Sequence, residues 1–111
     1  GLQLVGVAEL FVTCLPCPDC AKLIAANTCI KRVFFGEVYR SLEGAKTLMD
    51  SGVELFFVYE HAGEVFKVES ISEDLQKLDL RLVMPLNDGL FSKNRLFEMS
   101  ANGDLSRVIC R

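Results

Sequence analysis

No apolar run in this chain approaches the roughly 18 residues that a membrane-spanning helix requires. The first residues, Gly1-Leu2-Gln3, carry no basic segment ahead of an apolar one, so no secretory signal is expected. There is no initiator Met, which points to a processed product or a piece of something longer. Cationic residues are in the minority: 12 Lys and Arg stand against 15 Asp and Glu, for a net charge of −3. A general electrostatic affinity for nucleic acid is thereby excluded, although a local site for a single nucleotide is not. Repeats and low-complexity segments are absent, which rules out solenoid and linker architectures. Histidine occurs once, as His61. Cysteine occurs five times, at positions 14, 17, 20, 29 and 110. An odd count without a secretory signal argues against a disulfide scaffold and for an intracellular, reducing compartment such as cytoplasm or organelle matrix.

What is present is a globular composition, 50% apolar and 24% charged over 111 residues. A chain of this size forms one small domain and buries roughly two-thirds of its unfolded surface. Its mean hydropathy of +0.30 is high for a lone soluble domain and points to apolar surface that meets a partner.

The apolar run Val7 to Thr13 reads as a buried strand. Leu15-Pro16-Cys17-Pro18-Asp19 breaks it, and Pro18 suits the first turn of a helix over about Asp19 to Asn27. Ile30 to Val38 reads as a second strand. Leu42 to Asp50 reads as a second helix, closed by Ser51-Gly52. Val53 to Tyr59 reads as a third strand. Strand, helix, strand, helix, strand with short connections implies a parallel sheet built by right-handed crossovers. Beyond it, Val53 to Glu60 and Glu64 to Ser70 flank His61-Ala62-Gly63 as a β-hairpin. Ser72 to Leu80 is expected to be a short helix with Ser72 as its N-cap. Arg95 to Met99 and Leu105 to Cys110 flank Asn102-Gly103 as a second hairpin.

The chemistry concentrates in Thr13-Cys14-Leu15-Pro16-Cys17-Pro18-Asp19-Cys20-Ala21-Lys22. Two cysteines at i and i+3 present both sulfurs on one side of a helix's first turn. The exposed N–H groups and the positive dipole end favour thiolates there, and thiolates bind zinc at about 2.3 Å. The mouth of a helix that follows a parallel strand is also where open α/β sheets place their sites. Taken alone, Cys-x-x-Cys also fits a redox pair or half of a structural zinc site.

In its context, a strand, then Pro-Cys-x-x-Cys-Ala-Lys, a helix and Ile30-Lys31-Arg32-Val33 opening the next strand, the segment from about Val7 to Val58 resembles the second half of the deoxycytidylate deaminase family, within the cytidine deaminase-like superfamily. The resemblance implies a three-layer α/β fold with parallel strands, truncated at the N-terminus, with an α/β-hairpin tail at the C-terminus. It divides the chain into a partial deaminase-like domain over 1–70 and an extension over 71–111. It implies that Cys17 and Cys20 are zinc ligands, with zinc activating a water for attack on C4 of a cytosine ring. In the family a third ligand and a proton-moving Glu come from an earlier H-x-E motif. Nothing before Cys17 reads H-x-E or C-x-E, and Glu9 falls on a strand. The expected activity is hydrolytic deamination of a cytosine nucleotide, with this chain as the zinc-cysteine half, not competent alone. The alternative is an inactive deaminase-fold subunit of a larger complex. Either way, another chain or a second copy is expected to cover the missing half.

Other residues carry weaker signals. Glu37, Tyr39 and Arg40 follow the second strand at its C-terminal end and are candidates to contact a nucleotide, the arginine through phosphate. Cys14 and Cys29 read as small core residues rather than ligands. His61-Ala62-Gly63-Glu64 resembles the family's His-Ala-Glu, but it follows the cysteines instead of preceding them, its Glu is one residue late, and at a hairpin tip His61 and Glu64 do not share a helical turn. Phe34, Phe35, Phe56 and Phe57 read as core.

Overall fold

The computed structural model describes residues 8–27, 29–38, 41–60, 62–84, 94–100 and 105–108. Strand β1 (Ala8–Cys14) leads through Leu15-Pro16-Cys17 into helix α1 (Pro18–Ala26). Strand β2 (Ile30–Glu37), helix α2 (Glu43–Asp50) and strand β3 (Glu54–Tyr59) follow. Strands β4 (Glu64–Ile71), β5 (Lys77–Met84), β6 (Asn94–Met99) and β7 (Leu105–Val108) complete the described elements. All seven strands form one mixed sheet in sequence order. β1, β2 and β3 are parallel and the remainder is an antiparallel meander. The expected strand–helix alternation as far as Tyr59 is therefore present, as are the two hairpin pairings. The tip at 101–104 and His61 lie outside the described residues.

Two expectations are corrected. Ser72 to Leu80 is not a helix. β4 ends at Ile71, a turn follows, and β5 runs from Lys77. Ser72 caps as expected, but it caps a turn: its Oγ accepts from the Gln76 and Lys77 N–H groups. Leu75 takes a left-handed φ of 58°, which no right-handed helix continues through. Leu78, Leu80 and Leu82 then alternate with Asp79 and Arg81, the period of a half-buried strand.

The second correction concerns Phe34 and Phe56. Both helices pack on the face of the parallel strands that carries Val33, Phe35, Leu55 and Phe57, all buried with Ala21, Leu42, Ala45 and Leu48. Successive right-handed crossovers in strand order place both helices on one side. Among the described residues nothing covers the other face, so sheet and helices form two layers there. On that open face Phe11, Phe34 and Phe56 lie side by side across β1, β2 and β3, with ring centroids 4.7 Å apart at both steps. Phe11 is 68% exposed. Phe34 and Phe56 thus belong to this open ladder, while only Phe35 and Phe57 are core.

On the helix side the sheet curls. Phe97 of β6 reaches back to Phe57 of β3, ring centroids 5.4 Å apart, and also meets Phe66 of β4. The strands after Ile71 therefore share the core with the strands before it. Among the described residues no helix is long and apolar enough to cross a membrane.

Candidate functional site

The Pro-Cys-x-x-Cys segment sits where β1 ends and α1 begins, at the C-terminal rim of the parallel strands. Three features fix it there. Leu15 is buried, and its N–H donates to the Glu37 carbonyl oxygen at 2.7 Å, tying the loop to the end of β2. Pro18 occupies the first turn, where its missing N–H is not needed. Cys17 is the N-cap, with extended φ and ψ of −67° and 166°. The Ala21 N–H donates to the Cys17 carbonyl oxygen at 2.8 Å, closing the first helical turn.

The Cys17 thiol takes the capping role usually held by Ser or Asp. Its Sγ accepts from the Cys20 backbone N–H at 3.5 Å. That bond, with a further one from the Cys20 side chain, lowers the Cys17 pKa. Cys20 moves the opposite way, raised first by its hydrogen bond to Cys17 and then by the nearby Cys17 charge. The two sulfurs thus share one site at the helix mouth, one biased to thiolate and one to thiol. Cys20 is exposed and Cys17 half-buried, so both are reachable from solvent.

Zinc fits this corner in part. Two thiol donors on one turn suit two positions of a tetrahedral centre. Among the described residues no third His, Cys, Asp or Glu joins them. The described residues therefore supply half of such a centre, not the whole.

At the C-terminal ends of β1, β2 and β3 a cleft of about 680 Å³ opens, whose lining includes neither Cys17 nor Cys20, within the size range of small-molecule sites. Phe11, Thr13, Phe34, Gly36, Glu37 and Tyr59 are among the residues that line it. Glu37 ends β2 and lines this cleft. Tyr39 and Arg40 lie outside the described residues. Cys14 is half-buried and pairs with Glu37 across β1 and β2, and burial followed by the Glu37 charge raises its pKa. Cys29 is half-buried, and Cys110 lies outside the described residues.

Gly44 is a site residue that sequence reasoning missed. A Cβ at this position of α2 would be driven into the Pro16 carbonyl oxygen and would crowd the Cys17 backbone. α2 thus backs the Pro-Cys-x-x-Cys loop at a distance only glycine permits. The available signal was a glycine inside a helical pattern, which marks close packing.

The chain matches no family model, no curated protein and no solved structure.

Proposed function

We propose that this chain is the zinc-cysteine half of a deaminase of the deoxycytidylate type, replacing the exocyclic amine of a cytosine nucleotide by oxygen with release of ammonia, and that it is not competent alone. The observation that carries the reading is the paired Cys17 and Cys20 at the mouth of α1, directly after the first of three parallel strands. In this proposal Cys17 and Cys20 hold zinc, and the helix N-terminus stabilises their charge. Zinc, when bound, supplies a Lewis acid that makes water a nucleophile near neutral pH. In the same proposal the cleft at the strand ends takes the ring between aromatic and carboxylate walls, with Glu37, Tyr39 and Arg40 assigned to substrate contact. The third ligand and the proton-moving group come from outside the described residues, on a partner chain or a further segment.

A second reading, a deaminase-fold subunit without catalysis, is favoured by the exposed aromatic ladder of the open face, a surface suited to assembly. Zinc content and ammonia release from deoxycytidylate, measured on the chain with and without its copurifying partner, separate the two. One zinc per chain with turnover in the complex, both lost in Cys17→Ser, is the expected result for the enzyme. A complex free of zinc and without ammonia release overturns that reading in favour of the subunit.

A further inference from the structure

The sheet order leaves β1 at one end, with no strand on its outer side among the described residues. Such an edge presents unpaired N–H and C=O groups along its length and is a template for another strand. β1 also carries the terminal ring of the aromatic ladder. Phe56, Phe34 and Phe11 follow one another at 4.7 Å, the spacing of neighbouring strands, and the series stops at an exposed ring.

We propose that two copies of this chain pair through the outer edge of β1, antiparallel, about a two-fold axis that passes through Phe11. The inference stands independently of the deaminase reading.

Self-complementarity identifies the occupant as a second copy. β1 spans Ala8–Cys14, and Phe11 is its middle residue. A two-fold axis at Phe11 therefore pairs the regular part of the strand, Glu9 to Thr13, with itself, short of the register shift between Ala8 and Glu9. Phe11 meets the partner's Phe11, and the ladder continues through six rings without a gap. Leu10 meets the partner's Val12 on the helix side, where both already pack against the core. On the open face Glu9 meets the partner's Thr13, so no like charges face each other. Glu9 is moreover neutralised within its own chain by Arg32, at 3.2 Å. Cross-strand aromatic pairs favour this register, and like charges directly opposite would oppose it. An isologous contact of this kind closes on itself and yields a dimer rather than a filament.

Sedimentation and native mass spectrometry test the proposal, with circular dichroism to verify the fold of each variant. The wild-type chain is expected at twice its 12.4 kDa mass. Phe11→Lys sets two ammonium groups together on the axis and is expected to give a monomer; the exposure of Phe11 leaves the fold intact. Thr13→Glu, which faces the partner's Glu9, is likewise expected to dissociate the pair, whereas Thr13→Lys keeps it. A monomeric wild type overturns the proposal. So does a dimer indifferent to both Phe11→Lys and Thr13→Glu, or an edge filled by a strand from a different polypeptide.

Discussion

Phe97→Ala is expected to cost about 3–5 kcal/mol of folding stability, the range for an aromatic truncated in a packed core. Phe97 is 1% exposed and belongs to β6, far along the chain from the parallel strands. Its ring nevertheless meets Phe57 and Tyr59 of β3 edge-on at 5.4 and 6.1 Å, and Phe66 of β4 at 5.3 Å. A cavity there is lined by strands from both halves of the chain. Urea unfolding followed by circular dichroism is expected to show one transition at lower midpoint. Hydrogen exchange is expected to show protection falling together in β2, β3 and β6. Loss confined to β6 and β7, with β2 and β3 as protected as before, would mean that the meander is an appendage on an independent core.

Gly44→Ala is expected to be the most damaging small change to the candidate site. The obstructing atom is a backbone carbonyl oxygen, that of Pro16, which cannot swing aside as a side chain can. Either α2 retreats from the sheet or the Pro16-Cys17 segment shifts, at a cost of about 1–3 kcal/mol for overpacking. If the segment shifts, the cap from Cys17 Sγ to the Cys20 N–H is lost, and with it the first cause of the lowered Cys17 pKa. The readout is alkylation at neutral pH resolved by peptide mass. In the wild type Cys17, the sulfur biased to thiolate, is expected to react faster than Cys20, and its lead to shrink as rising pH ionises both. In Gly44→Ala the two rates are expected to converge. Gly52→Ala is the control. Its φ of 87° makes alanine strained by about 1–2 kcal/mol. A Cβ there meets nothing, so stability falls and the order of cysteine reactivity stays. Unchanged reactivity in Gly44→Ala would show that α2 does not set the sulfur geometry.

The chain as far as Tyr59 was legible because local signals agreed there. Pro18 marked a helix start, Ser51-Gly52 marked an end, and apolar runs of strand length lay between. The helix assigned to Ser72–Leu80 failed because cap chemistry was weighed above period. Ser72 and Asp74 do bond locally, but the same bonds serve a turn as well as a helix. The alternation of Leu78, Leu80 and Leu82 becomes clear only when the reading extends past Leu80. The open face was illegible for another reason. Phe34 and Phe35 are adjacent and equally apolar, and only the position of the helices decides which one is buried. At the site, the position of Cys17 and Cys20 at the start of α1 and of Glu37 at the end of β2 was legible from spacing and strand ends. Gly44 was not, because its role depends on the approach of two elements distant in sequence.

Cobalt(II) titration followed by visible and near-ultraviolet absorption tests the central claim, that Cys17 and Cys20 together grip a metal ion. Thiolate bonding to cobalt produces charge-transfer absorption that water and carboxylate ligands do not. The expected result is such absorption in the wild-type chain, displaced by zinc, halved or lost in Cys17→Ser and in Cys20→Ser, and kept in Cys29→Ser. Absorption that is missing in the wild type, or that survives replacement of both Cys17 and Cys20, would contradict the account.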